Sequence, residues 1–380
     1  PKNRYGFFPS VGLGWVISNE SFFEPLTNVI QYLKVRGTWG QVGNSQISGR
    51  RFAYLATVTD SSSTSYTFGK NMDQNYGTTA IDEYAVDVTW EVADKTDIGV
   101  DMRLLNNKLN LQFDYFKESR EGIYLRRSSI PSYVGMINNP YGNIGKVENK
   151  GFELSVNYAN SWGGDWSLSL MGNYSFNRNK VLEDDSTVVY PWQNTIGNKV
   201  GQRFGLVALG LFESYGEIAA SPVQTGDTRP GDIKYKDING DGKIDEYDKV
   251  PIGWGSVPEI MYGFGFSLGW KNLSLTAMFQ GAAHVDAMLS GEGVLPFSQG
   301  SSRGNLLSNI TDRWTEENPR QNAFYPRLSI GNINMNYEES TWWLKDTDYL
   351  RLKNIELSYR LPDHWMKRIH LDNARIFIQG

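Results

Sequence analysis

Cysteine is absent from all 380 residues, and histidine occurs only three times. Without cysteine there is no disulfide framework, no thiol nucleophile and no thiolate metal site. Long apolar runs are missing as well. No stretch of about 18 apolar residues exists, which excludes a transmembrane helix but not transmembrane strands, whose polar face dilutes hydropathy. There is no basic block, and the formal net charge is −5, which argues against nucleic acid as a partner. Enzyme signatures are missing too: the chain contains no H-E-x-x-H, no G-x-S-x-G and no P-loop. Gly263, Gly265 and Gly269 lie within an alternating run with no helix after it, so they read as a smooth strand wall rather than a phosphate loop. His364 and His370 flank a short segment of helical character, His284 stands alone, and neither catalysis nor metal binding is expected of the three.

What is present is a rhythm. Phe152, Leu154, Val156 and Tyr158 alternate with Glu153, Ser155 and Asn157. Trp166, Leu168, Leu170, Tyr174 and Phe176 alternate with Ser167, Ser169, Asn173 and Ser175. The same period of two runs through 98–104, 109–115, 262–270 and 273–279. One apolar and one polar face make a half-buried strand, and about ten residues is what a tilted strand needs to cross a bilayer. Charges keep to the polar face, as lipid contact requires, since an ionised group at the midplane costs about 2–4 kcal/mol.

The connections fall into two classes. Those at 105–108, 160–165 and 270–272 are tight polar turns of hairpin type. Between them lie stretches of about 25 to 80 residues at 43–92, 121–146, 179–256 and 283–346, too long for a compact soluble domain. Short turns on the periplasmic side and long loops outside are the outer-membrane barrel arrangement. Counting from Phe8 gives about ten strands, too few to complete a barrel with such loops. No signal peptide is visible, and both ends look cut, so an internal piece of a longer chain is expected.

Four segments carry a family resemblance: Arg4–Trp15, Leu33–Gly40, Gly231–Gly242 and Tyr349–Pro362. They occur in family order across nearly the whole chain, which resembles the C-terminal barrel half of SusC/RagA-type TonB-dependent transporters. The resemblance implies an all-β fold, a transmembrane antiparallel β-barrel around an N-terminal plug. Plugged transporters of this kind have about 22 strands, of which this chain would supply about ten, without the plug. It also implies import of an oligosaccharide or a peptide across the outer membrane of a Gram-negative, Bacteroidetes-like cell. A SusD-like lipoprotein lid would be a partner, with TonB engaged through the absent N-terminal region.

The sharpest chemical motif runs from Asp237 to Asp248. Asp237, Asn239, Asp241, Asp245 and Asp248 occupy positions 1, 3, 5, 9 and 12 of a loop with Gly242 at position 6, the spacing of a calcium loop. Lys243 at position 7 is compatible, because that ligand is a backbone carbonyl. Asp248 stands where a bidentate Glu is usual, which shortens the reach to Ca²⁺. The alternative is an acidic, solvated turn. On either reading the segment is a clasp on an external loop, and a bound Ca²⁺ would be structural.

Aromatic residues divide by position. Trp162, Trp166, Trp270, Tyr359 and Trp365 lie near short turns, where an interfacial girdle is expected. Trp192, Trp254, Trp314, Trp342 and Trp343 lie in the long connections. Of these, Trp192, Trp314, Trp342 and Trp343 are candidate substrate contacts, or else packing inside large loops. One strand breaks phase: Leu350 and Leu352 occupy one face, Ile355, Leu357, Tyr359 and Leu361 the other. Either a bulge at Lys353-Asn354 or a strand leaving the membrane there explains it, and the second is favoured.

The reading that joins these features is a barrel segment of a nutrient importer embedded in outer-membrane lipid. A secreted β-rich adhesin or glycan-binding module with a calcium loop is the runner-up. A soluble sandwich would bury the uncharged strand faces, whereas a barrel shows them to lipid.

Overall fold

The computed structural model describes residues 3–46, 52–70, 72, 74–134, 136, 138–298, 306–368 and 370–380. The stretches 47–51 and 299–305, inside two of the long connections, lie outside the described residues. Ten strands form one sheet: β1 (Ser10–Val16), β2 (Ile30–Asn44), β3 (Glu91–Leu104), β4 (Leu109–Arg126), β5 (Tyr141–Trp162), β6 (Trp166–Glu183), β7 (Ile260–Trp270), β8 (Leu273–Ala283), β9 (Tyr349–Arg360) and β10 (Arg375–Gln379). Each strand pairs antiparallel with its neighbours in sequence, and β1 and β10 are the two edges. This is an antiparallel β-barrel wall in meander order.

Register carries the alternation across the whole sheet. Leu154 faces Phe113 on one side and Tyr174 on the other, and Tyr174 faces Tyr262. Val100 faces both Val35 and Phe113. Residues directly opposite share a face, so these rows join into one apolar face from Leu13 on β1 to Ile378 on β10. Leu13, Phe113, Leu154, Phe264, Leu357 and Ile378 are all exposed, so no second layer covers that face among the described residues. Near the short turns the row becomes aromatic, with Trp166 opposite Trp162 and Trp270.

The strands outrun their apolar segments. β5 has 22 residues, about 70 Å at ~3.3 Å per residue, against a hydrocarbon core of about 30 Å. Only its half from Phe152 to Trp162 shows the apolar alternation. Above Gly151 the face that was apolar turns polar: Lys117 pairs with Glu148 at 2.8 Å and Lys146 with Glu121 at 2.6 Å. The connection after β4 therefore covers 127–140 rather than 121–146, because a strand beyond the lipid no longer needs an apolar face and its signal fades. The connection 43–92 likewise contains a hairpin of its own, Thr57–Phe68 with Gln74–Glu83.

The phase break in β9 is a bulge. Met278 of β8 faces Asn354 while Phe279 faces Leu352, leaving Lys353 unpaired between them. Leu350, Leu352, Ile355, Leu357 and Tyr359 then face Gly281, Phe279, Ala277, Leu275 and Leu273, all on the apolar face. This corrects the favoured expectation that the strand leaves the membrane at this point. Inserting one residue flips the period, which is how a single sequence phase change yields one continuous face.

The fully buried apolar cluster lies away from the sheet. Leu206, Leu211, Ile233 and Tyr235 from the connection after β6 pack with Trp314, Tyr325 and Trp343 from the connection after β8. Short strand pairs stitch this loop body: Ala208–Leu211 with Ile233–Tyr235, Arg203–Gly205 with Val250–Ile252, and Asp286–Met288 with Leu344–Asp346. Connections of this length thus fold by building a core of their own.

Candidate functional site

Two surfaces could meet a solute: the polar face of the sheet and the loop body. On the polar face Arg36 of β2 sits between carboxylates of β3 and β4. It pairs with Asp97 at 3.0 Å, with Asp101 at 3.5 Å, and with Asp114. Farther along, hydroxyl groups join strands, Thr276 donating to Ser267 at 3.0 Å and Ser274 lying 2.7 Å from Ser358. A cavity of about 480 Å³ opens on this face, bordered by Asp114, Glu153, Asn173, Gln280 and Lys353. Gly263, Gly265 and Gly269 share its side of β7, as expected of a smooth wall. A Cβ on Gly265 would come within 2.8 Å of the Ala277 carbonyl, so close strand approach keeps that residue small.

The loop body is anchored to the sheet through a buried carboxylate. Glu259, just before β7, is 3% exposed at its side chain. It accepts two hydrogen bonds from Arg178 of β6, at 3.0 and 2.7 Å, and lies 3.2 Å from Lys199 and 3.1 Å from His284. Burial alone would raise its pKa, but the hydrogen bonds from Arg178, Lys199 and His284 outweigh that and hold it below the usual glutamate range. His284 also stacks on Trp254, ring centres 4.0 Å apart. It serves as a structural joint.

A second carboxylate organises the body itself. Asp232, 1% exposed, takes Arg327 in a bidentate pair at 2.9 and 3.0 Å, and accepts Asn336 at 2.8 Å and Asn334 at 3.2 Å. Neither joint was singled out in the sequence, because their partners lie far apart along the chain and no local spacing announces them.

The acidic segment 237–248 is an ordered turn closed by its own backbone. Asp237 accepts from Gly240 and Gly242 at 2.7 and 2.9 Å, and Asp241 accepts from Lys243 at 2.9 Å and from the Asn239 amide at 3.1 Å. Asp245 accepts from Tyr247 at 2.8 Å. Asp248, fully buried, accepts from Ile238 and Asp245 at 2.7 and 2.9 Å. Gly240 and Gly242 take φ of 76° and 82°, which only glycine adopts freely. Among the described residues no three acidic or histidine side chains converge closely enough to hold a metal. The spacing thus matches a calcium loop, while these carboxylates point to amides rather than to a common centre.

The four candidate tryptophans separate. Trp314 and Trp343 are 5% and 1% exposed and belong to the loop core. Trp343 donates to the Asn336 carbonyl at 2.7 Å, and the Trp314 ring covers Gly231. Neither presents a face to a ligand, so the expectation of substrate contact is corrected for both: the core needed their bulk. Trp342 is half-buried and donates to the Phe324 carbonyl at 3.3 Å. Trp192 is half-exposed, stacks on Tyr190 at 4.6 Å, and donates to the Tyr247 carbonyl at 2.8 Å beside the acidic turn.

Comparison with known proteins places these features in a family. A model described as TonB dependent receptor-like, beta-barrel, matches residues 1–376. A TonB-dependent receptor of Formosa agariphila is 28% identical over 393 residues, covering 100% of this chain and 37% of the relative. The TonB-dependent receptor SusC of Bacteroides thetaiotaomicron is 27% identical over 379 residues, covering 96% of this chain and 35% of its own length. The structure of the RagAB peptide transporter superposes with a TM-score of 0.68 at 21% identity, over 100% of this chain and 40% of the other, a likeness of fold. The chain therefore spans little more than a third of the curated relatives it matches.

Proposed function

Because the chain belongs to the TonB-dependent receptor-like β-barrel family, we propose that it forms wall and external loops of a TonB-dependent outer-membrane importer for an oligosaccharide or a peptide. The observation that carries this reading is the apolar face running unbroken across ten strands, backed by a polar face bearing charges and a cavity. A wall with lipid on one side and an aqueous path on the other needs that division. The runner-up, a secreted glycan-binding or adhesin module, would have to cover the apolar face with a second sheet, and the described residues provide none.

The short turns would lie in the periplasm and the long connections outside. A SusD-like lipoprotein would sit on the loop body as a lid, and TonB would act through residues outside this chain. Trp192 and Trp342, half-buried at the loop body, are the candidate aromatic contacts for substrate. Ca²⁺ in the 237–248 turn would clamp that body once Asp237, Asn239, Asp241, Asp245 and Asp248 left their amide partners and converged, with the Lys243 carbonyl, as its ligands.

The test is uptake. Cells carrying the full-length gene should accumulate a labelled oligosaccharide or peptide pool, lose that uptake on deletion of the gene, and lose it again when the proton gradient is collapsed. Uptake that survives gradient collapse would refute energised import. Pull-down of the full-length protein should bring down a surface lipoprotein.

A further inference from the structure

Where β4, β5 and β6 rise above the apolar band, a stretch of the following connection folds back over their polar face. Val181 donates to the Asn198 carbonyl and accepts from Gly197, both at 2.8 Å, and Val200 donates to the Asn179 side chain at 2.8 Å. Between this fold-back and the sheet lies a cavity of about 690 Å³. Ile123, Leu125, Val147 and Val181 supply its floor from the strands, and Val200 and Phe204 its cover. Four aliphatic side chains on adjacent strands set this patch apart from the Asp114, Glu153, Asn173 and Gln280 that border the other cavity on this face.

The bordering cations are all spent on carboxylates, while Asp184 is held by the Ser186 hydroxyl at 2.7 Å and Glu183 is exposed. Arg120 holds Glu118 at 2.8 Å and Glu91 at 3.0 Å, Lys146 holds Glu121 at 2.6 Å, and Lys199 holds Glu259 at 3.2 Å. An anionic ligand group would have to break these pairs to find a cation. One acceptor stays open: Oδ1 of Asn149, a lining residue, is shut off from solvent and meets no donor. A buried acceptor without a donor is costly, so a ligand N–H reached by rotation of that amide would be rewarded.

We infer that this cavity is a side-chain pocket for an oligopeptide, taking a large uncharged apolar residue such as Leu, Phe or Met, with a neighbouring peptide N–H satisfied by Asn149. A sugar ring fits poorly, because it bears hydroxyl groups on most of its carbons and an aliphatic floor leaves them unpaired. The volume suits a few residues of extended chain. The inference deepens the import reading and rests on it for the direction from which ligand arrives.

The experiment uses the full-length receptor in detergent and fluorescein-labelled pentapeptides of glycine with a central Leu or a central Ser, beside a labelled linear glucose hexasaccharide. The Leu peptide should bind at least tenfold more tightly than the Ser peptide. Val147→Asp, which puts a charge in the floor, and Val147→Phe, which fills the pocket without one, should each remove that preference, while Tyr133→Ala, outside it, should not. Equal binding of the Leu and Ser peptides, a preference untouched by both Val147 variants, or no Leu-peptide binding at millimolar concentration would overturn the pocket. Uptake is scored separately in cells. Oligosaccharide import without peptide binding sinks the pocket alone, whereas specific peptide binding without any uptake sinks the importer reading alone.

Discussion

The guanidinium of Arg327 grips the buried Asp232 carboxylate through two hydrogen bonds of 2.9 and 3.0 Å, across 95 residues of sequence. This pair ties the connection after β6 to the connection after β8, and Asn334 and Asn336 complete the carboxylate's shell. Removing one partner of a buried pair leaves an uncompensated charge, at a cost of about 3–5 kcal/mol. Arg327→Met should therefore loosen the loop body by that order while the barrel assembles normally. Limited proteolysis of the full-length protein should show new cleavage within 203–252 and 312–346, with heat-modifiable migration on gels unchanged. Resistance equal to wild type would mean the hydrophobic core alone holds the two connections.

Deletions in β9 should differ by position. Lys353 is the extra residue of the bulge, so deleting it leaves Leu350, Leu352, Ile355 and Leu357 on the lipid face with a regular ladder. Deleting Leu357 instead moves Ser358 and Arg360 into apolar positions and Tyr359 into a polar one. Folded yield from outer membranes should stay near wild type for the first deletion and collapse for the second.

Acid should act on Glu259. Its carboxyl is held below the glutamate range in the folded state, so its contribution is fully present above the unfolded value of about 4.3. That contribution is lost as pH falls through the lower folded value. Melting of the loop body, followed by proteolysis against temperature, should drop more steeply below pH 4 in wild type than in Glu259→Gln. Parallel pH profiles for the two proteins would remove Glu259 from the account.

Calcium binding at 237–248 is separable from order in that turn. Titration of Ca²⁺ into metal-free full-length protein should show a site that the Asp237→Ala, Asp241→Ala double variant lacks. Equal uptake of Ca²⁺ by both proteins would leave a turn closed by its backbone hydrogen bonds alone.

Sidedness follows from strand parity. The absence of cysteine lets single cysteines report without background, at Ser186 in the connection after β6 and at Asn107 in the turn before β4. An impermeant reagent on intact cells should label the first and spare the second. The reverse pattern would invert the barrel. Ser302, a third position suited to this test, lies outside the described residues.

The membrane-facing part of the fold was legible because lipid imposes a period-two pattern that a reader can follow from Phe152 to Tyr158 or from Leu273 to Phe279. Legibility stopped where that constraint stopped. β5 continues from Phe152 back to Tyr141 with Lys150, Glu148 and Lys146 where the apolar row had run, and without that alternation nothing local distinguishes it from a loop. The loop body was opaque for a different reason. Trp314 and Trp343 look alike in sequence to Trp192, and only contacts across about a hundred residues decide which of them is core. Phase changes in sequence are informative even so, since Lys353 marked its bulge.

The loop body stands on four consecutive strands. Its two contributing connections leave from β6 and β8 and return to β7 and β9. Adjacent strands lie about 4.8 Å apart, so all four entry points fall within about 15 Å of barrel rim. Such a footprint makes the two connections a cassette: inherited or exchanged together they carry a finished core to a new barrel, and split apart each brings half of one. Recombination that exchanges this loop body should therefore break within β5 and β10, never between β7 and β8.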